Sequence, residues 1–287
     1  MLVAILELLR IKHWIKNLFV FIPLFMSGNF LVYSFFENSI IAFSLFCLAS
    51  SSVYIFNDLL DLNRDKEHSV KKNRPLSSGR ISRQRGIFIL LVLLSLIILI
   101  GYFNSFTGYK IISAYLILNF LYTTYLKHVE IIDVICISIG FVLRVSLGVV
   151  FSKLDTSLWL IGLTFSLSML LALGKRKAEI KSQASTKVRP SLRRYNSEII
   201  SQLQIIFVTV TLIFYVMYTL FNQTFPGDRE LLFYSSIFVT AGLGRYMMIT
   251  SSDSMIEEPT NIVYQDRFIL FTVLCWGLYL ALCIYSK

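Results

Sequence analysis

Long apolar stretches separated by short polar ones run the whole length of the chain. A helix that spans a bilayer needs about 20 consecutive, mostly apolar residues. Runs of that kind fall near 17–36, 38–57, 87–103, 109–126, 131–151, 157–174, 199–221, 231–250 and 268–285. The pattern predicts an all-α polytopic membrane protein, a bundle of about nine transmembrane helices. The first and third runs are the least regular, and the first carries Pro23 and Gly28. No soluble domain can be cut out between the runs, so 1–287 reads as a single transmembrane domain. No short apolar run followed by a small-residue cleavage site opens the chain, and no removable leader is expected. The longest polar stretches, about 58–86 and 175–198, are the places for chemistry in water.

Composition agrees with the pattern. The 287 residues are 56% hydrophobic and 15% charged, with a mean hydropathy of +0.69. A soluble domain averages about 45–50% apolar and about 25% charged. The excess recurs along the chain, which excludes a soluble domain on one anchor. The net charge of +10 would suggest nucleic acid in a soluble protein, but cytoplasmic loops of membrane proteins collect Lys and Arg. Of the 27 Lys and Arg residues, Lys110, Lys153, Arg229 and Lys287 lie opposite the N-terminal side, Arg144 lies within a run, and the rest share the N-terminal side. That asymmetry predicts an inner (cytoplasmic) membrane protein with its N-terminus and both long basic loops in the cytoplasm, and no nucleic-acid partner. Cys47, Cys136, Cys275 and Cys283 all sit in apolar runs, with no CxxC pair and no neighbouring His, and read as buried thiols.

The most specific stretch is Asn57-Asp58-Leu59-Leu60-Asp61-Leu62-Asn63-Arg64-Asp65. If the preceding helix continues, Asp58, Asp61 and Asp65 fall at i, i+3 and i+7 on one face, with Asn57 beside Asp61. Three carboxylates on one face repel, and near a membrane they need a cation. Magnesium prefers carboxylate, water and phosphate oxygens and commonly bridges protein to substrate phosphates. The plain alternative is a solvated helix end pairing with Arg64 and Lys66. The next ten residues favour the metal. His68, Lys71, Lys72, Asn73 and Arg74 lead into Pro75 and Gly79, a pairing that marks a fixed turn. Basic groups on such a turn can grip phosphate, Arg bidentately.

The run NDLLDLNRDKEHSVKKNRPLSSG resembles the first aspartate motif of the UbiA superfamily of intramembrane prenyltransferases. The resemblance implies nine helices, an active site opening to the cytoplasm under loop caps, and Mg²⁺-diphosphate binding by Asp58, Asp61 and Asp65 with Asn57 assisting. Four further runs resemble the decaprenyl-phosphate phosphoribosyltransferase branch. RIKHWIKNLFVFIPLF carries Lys12, Trp14, Lys16 and Asn17, with His13 where Gln is expected. LKHVEIIDVICISIGFVLRVSLG carries Lys127, Asp133 and Arg144. LALGKRKAE carries Lys175, Arg176, Lys177 and Glu179. EEPTNIVYQDRFI carries Asp266 and Arg267. Together they cover nearly the whole chain.

The second polar stretch points the same way on physical grounds. Aromatic prenyltransferases place a second aspartate-rich motif after the sixth span, whereas GKRKAEIKSQASTKVRPSLRRYNSE has no Asp and is rich in Lys and Arg. Such a loop suits bare phosphates, which ammonium and guanidinium groups hold directly. Arg144 sits inside an apolar run, where charges usually face a cavity and mark function, and Asp133 is its candidate partner. Lys127, at a helix end, serves orientation as well as substrate contact. Tyr195 and Asn196 are weaker candidates for ribose contacts.

The expected reaction moves a 5-phosphoribosyl group from phosphoribosyl diphosphate to a polyprenyl phosphate, for cell-envelope glycan synthesis. Asp58, Asp61 and Asp65 serve a Mg²⁺ ion. Lys16, Asn17, Asn57, Lys72, Arg74, Lys127, Asp133, Arg144, Lys175, Arg176, Lys177 and Tyr195 are the candidate substrate residues. Two competing readings are a prenyltransferase using a prenyl diphosphate and a transporter of a lipid-linked substrate. A homo-oligomer is compatible with the sequence.

Overall fold

The computed structural model describes residues 1–67, 70–104, 106–181, 196–222, 228–251 and 265–286. Among these, every regular element is helical. In chain order they are α1 (Leu2–Leu8), a 3-10 segment (Ile11–Phe21), α2 (Ile22–Met26), α3 (Tyr33–Leu60), α4 (Leu62–Lys66), a 3-10 turn (Lys71–Asn73), α5 (Arg83–Asn104), α6 (Phe106–Thr124) and a 3-10 turn (Leu126–His128). The remainder are α7 (Ile132–Phe151), α8 (Leu158–Lys181), α9 (Ser197–Phe221), α10 (Arg229–Tyr234), α11 (Ser236–Ser251) and α12 (Arg267–Tyr285).

Among the described residues, seven helical stretches are long and apolar enough to cross a membrane: α3, α5, α7, α8, α9, α10 with α11, and α12. Their outward faces agree with this. On α12, Phe271, Leu274, Leu278 and Leu282 are exposed along one stripe, while Ile269, Leu280 and Ile284 are buried opposite. A helix bordered by hydrocarbon on one side and protein on the other has this distribution. At the expected 109–126 run stands α6, 19 residues long, with Lys110 and Asn119 lowering its apolarity.

The first expected run, 17–36, is not one helix. It divides into the end of the 3-10 segment, the five residues of α2, and a turn at Gly28 with φ +74°. A residue without Cβ adopts that conformation at little cost. Eleven residues of 3-10 helix are long for this form, whose hydrogen bonds are poorer than those of an α-helix. Side-chain contacts hold the segment: Asn17 and Val20 within it are fully buried.

The chain packs as two compact units. One comprises 1–24, 32–123 and 143–154, the other 25–31, 124–142 and 155–287. In the first, α3 packs against α5, α1 and the 3-10 segment. Its main core gathers Val20, Phe46, Ile97, Ile112, Tyr115, Leu147 and Phe151. A Cβ added at Gly148 would stand 2.0 Å from the Val20 carbonyl oxygen, so glycine is what lets α7 touch the 3-10 backbone. A second cluster of Ala4, Leu8, Ile55, Leu76, Ile81 and Leu93 ties α1 and the 74–81 turn to the C-terminal end of α3. In the second unit, α8 and α9 form an antiparallel pair, Gly162 lying by Phe214 and Gly174 by Gln204. Helix α11 packs on both α9 and α12.

Candidate active site

The end of α3 delivers the first group of charges. Helix α3 stops at Leu60, Asp61 takes φ −87° and ψ 8°, and α4 resumes at Leu62. The bonds from Asp61 N to Asn57 O and from Asp65 N to Asp61 O keep the chain turning. Asp58 and Asp65 therefore come together, and both are almost wholly buried. One nitrogen of Arg74 lies 3.0 Å from Asp58 Oδ1 and 2.6 Å from Asp65 Oδ2. Arg10 adds a second contact, its Nη2 2.6 Å from the same Asp58 oxygen, and its guanidinium lies over the Tyr54 ring at 4.6 Å. Asp61, at the break itself, is half-buried.

The expected turn supplies Arg74. Ser78 N donates to Arg74 O, Gly79 N to Leu76 O and Ile81 N to Pro75 O. Gly79 has φ +76°, which favours glycine. Buried Leu76 and Ile81 fasten the turn from below. Lys72 is exposed just ahead of Arg74, and Asn57 is half-buried on the last turn of α3.

Arg144 has a different setting from the expected one. On a continuous helix it stands eleven residues from Asp133, about 16 Å along the axis, too far to pair. Its partners include Asn17 Oδ1 at 2.9 Å from Nε and Tyr115 Oη at 3.3 Å from Nη2. The guanidinium lies over the rings of Phe46 and Tyr115, 4.9 and 5.2 Å from their centroids. Asn17 in turn donates to Cys47 Sγ and Ser50 Oγ. The 3-10 segment is thereby pinned to α3 and α7 through one amide. Lys16 beside it is half-buried.

The second unit holds its own charge cluster. Asp133 lies in the first turn of α7, where the helix dipole favours an anion. Ile131, just ahead, has φ +63°, a conformation strained for a β-branched residue. Arg176 Nε donates to Asp133 Oδ2 at 2.6 Å, and its Nη1 to Glu179 Oε2 at 2.6 Å. Arg176 and Asp133 are 1% and 0% exposed, so this pair is sealed. Lys177 is buried, and Lys175 and Lys127 are half-buried. At the start of α12, Asp266 accepts from Ile269 N and from Arg245. Those bonds, Arg245 first, hold the Asp266 carboxyl below the usual carboxylate range. Tyr195, His68, the basic residues of 187–194 and most of the last motif lie outside the described residues.

A sequence model described as the UbiA prenyltransferase family matches residues 19–255. The chain belongs to that family. Among similar UbiA-type sequences are decaprenyl-phosphate phosphoribosyltransferases of Mycolicibacterium smegmatis and Corynebacterium glutamicum, each 25% identical. The first alignment covers 95% of this chain and 90% of the relative, the second 98% and 87%. A UbiA homolog from Archaeoglobus fulgidus, solved bound to GPP and Mg²⁺, superposes with a TM-score of 0.71 at 17% identity over 99% of this chain and 100% of its own. The protein is thus a multi-pass membrane protein with the UbiA fold.

The residues fit the Mg²⁺ ion that the family suggests. Two buried carboxylates already converge on one cationic atom, Arg74 Nη1, and they offer the hard oxygens magnesium prefers. Among the described residues no three His, Cys, Asp or Glu side chains are grouped to hold a metal by themselves. Magnesium is commonly held by one or two carboxylates, with phosphate and water completing its shell. The structure thus brings Asp58 and Asp65 together on Arg74, with Asp61 at the helix break between them in sequence.

Two neighbours in the site are absent from the residues expected there. Arg10 stands 48 positions from Asp58, and Tyr115 stands 29 from Arg144. Arg10 opens a run that resembles the family, so a signal exists there. Tyr115 is one of 15 tyrosines and has none.

Proposed function

We propose that this UbiA protein transfers the 5-phosphoribosyl group of phosphoribosyl diphosphate to a polyprenyl phosphate at the cytoplasmic face of the inner membrane. The product would be a lipid-linked pentose donor for cell-envelope glycans. One observation carries the choice of donor. A second metal cage for a prenyl diphosphate requires carboxylates at the end of α8, and there Glu179 and the facing Asp133 are both engaged by Arg176. Lys175 and Lys177 flank it, a chemistry suited to phosphate without metal. The similarity to decaprenyl-phosphate phosphoribosyltransferases along nearly the whole chain supports the same reading.

The roles come from the side chains. Asp58 and Asp65 would hold Mg²⁺, with Asp61 and Asn57 assisting, and the ion when bound would offset the charge developing on a leaving diphosphate. Arg74 and Lys72, and Lys16 at the 3-10 segment, contact diphosphate oxygens, Arg74 shifting from carboxylate to phosphate. The bond from ribose C1 to diphosphate breaks, and the lipid phosphate oxygen forms the new bond at C1. That phosphate is already an anion at neutral pH, so no general base is required. Lys175 and Lys177 neutralise the remaining phosphates. Arg176 positions Asp133 and the α8 end, and Arg144 with Asn17 holds the 3-10 segment in place. Lys127 and Tyr195 complete the set of substrate contacts.

Purified protein with polyprenyl phosphate and Mg²⁺ should convert phosphoribosyl diphosphate to a phosphoribosylated lipid detectable by mass spectrometry, and chelator should stop it. The second reading, a prenyl diphosphate donor, takes its support from the fold shared with the GPP-bound A. fulgidus protein. Turnover of GPP with an aromatic acceptor, and none of phosphoribosyl diphosphate, would decide for it.

A further inference from the structure

Among the described residues, Gln204 and Tyr246 of the second unit are buried with side-chain polar atoms that have no hydrogen-bond partner. Gln204 on α9 is 0% exposed, and neither its Oε1 nor its Nε2 is bonded. Tyr246 on α11 is 5% exposed, and its hydroxyl is likewise unbonded. Native interiors satisfy most such groups, and each exception calls for an explanation. Both converge on Gly174 of α8. A Cβ there would lie 1.9 Å from Tyr246 Oη and 3.5 Å from Gln204 Nε2. Only a residue without a side chain lets the phenol reach the α8 backbone beside the amide. Two helices thus bring three unsatisfied hydrogen-bonding atoms to one notch on a third. Tyr246 itself belongs to the apolar cluster of Leu170, Leu243 and Ile269, and Leu173, next to Gly174, belongs to the cluster with Ile200 and Phe207.

The unmet valences select the ligand. Gln204 presents a donor and an acceptor, and Tyr246 a hydroxyl that does either. A phosphate monoester, mostly the dianion at neutral pH and so mainly an acceptor, would satisfy Gln204 Nε2 and leave Oε1 facing an anion. A sugar hydroxyl donates and accepts at once and can satisfy both residues. The notch also lies one turn from the phosphate-type group already assigned. Lys177 is at i+3 from Gly174, on the same face of α8. A phosphate on Lys177 and hydroxyls at Gln204 and Tyr246 match the two polar ends of a phosphorylated pentose.

We propose that Gln204 and Tyr246, admitted by Gly174, form a subsite that reads the ring hydroxyls of the pentose phosphate. This rests on the proposed phosphoribosyl reaction. It makes these two residues determinants of sugar specificity, separate from the groups that hold phosphate.

The experiment compares purified wild type, Gln204→Leu and Tyr246→Phe in detergent. Thermal stabilisation is measured with ribose 5-phosphate, 2-deoxyribose 5-phosphate and inorganic phosphate, and KM and kcat with phosphoribosyl diphosphate. Wild type should prefer ribose 5-phosphate over its deoxy analogue. Each variant should lose most of that preference and raise KM about tenfold, as one lost hydrogen bond implies, with the response to inorganic phosphate unchanged. Tyr246→Phe is nearly isosteric and keeps the test valid if Gln204→Leu folds poorly. If both variants are as stable as wild type or more so and keep the preference and KM, the pair holds only buried water and the subsite is refuted, while the phosphoribosyl reaction stands. If wild type turns over prenyl diphosphate and no phosphoribosyl diphosphate, the reaction assignment falls first and the subsite with it.

Discussion

The two units each contain carboxylates facing arginine, and they differ in what carries the arginine. In the first, Asp58 and Asp65 sit on helices, but Arg10 and Arg74 come from a helix junction and a turn and keep 19% and 24% of their side chains exposed. In the second, Asp133 and Arg176 both ride on long helices and are sealed at 2.6 Å. The difference separates a cation that can be exchanged from one that cannot. A partly hydrated guanidinium on a loop can leave its carboxylates for a phosphate while another cation takes its place. A sealed pair costs too much desolvation to open, since either partner alone would be a buried charge. On the proposed function, similar chemistry would serve a reaction in one unit and the framework in the other.

The sharpest way to break this contrast is Asp58→Asn. Activity should fall about a thousand-fold, on the scale of losing a principal electrostatic group, with little change in melting temperature. Near-normal turnover would remove the acid pair from the chemistry. Asp133→Ala should do the reverse. Leaving buried Arg176 with Glu179 but without Asp133 should cost about 3 kcal/mol of stability, and a second change, Arg176→Met, should recover much of it. If Asp133→Ala melts like wild type, the pair is not the sealed framework described. Gly148→Ala tests the support beneath the first unit. A methyl group against the Val20 carbonyl should cost about 1–3 kcal/mol and displace Asn17 from Arg144, read as lower thermal stability and weaker substrate binding together. Asp266 gives the smallest effect. Asp266→Ala should cost about 1 kcal/mol, as for a lost helix cap. Because its carboxyl is held below the usual range, that contribution is complete above about pH 4 and disappears as pH falls through the lowered value. The variant's melting curve should therefore vary less than wild type's at the acid end.

Much of the site is legible in the sequence for a physical reason. Asp58 and Asp65 are close along the chain, so helical spacing predicts that they share a face, and the Pro–Gly turn marks a fixed basic run after them; that Arg74 of this run pairs with both acids is seen only in the fold. Lys175 and Arg176 show the limit. As neighbours in a basic run they look equivalent, and the run predicts that both grip phosphate. In the fold Lys175 is half-buried, whereas Arg176 is sealed and taken by Asp133 from 43 positions away. Arg144 repeats the lesson: its expected partner, Asp133, lies eleven positions away on its own helix, while the fold gives it Asn17, 127 positions off.

By itself the sequence determined a helical membrane protein, the end of α3 where acids gather, and the basic character of the α8 end. These depend on local composition and period, which a bilayer makes stringent because each spanning segment must satisfy its own backbone. Tertiary structure alone decided that residues 17–36 fold as a 3-10 segment with a short helix, which arginine meets which acid, and that Gly174 admits Tyr246 beside Gln204. Those outcomes depend on which surfaces pack together across long separations, and no local pattern encodes the partner of a side chain that another helix must bring.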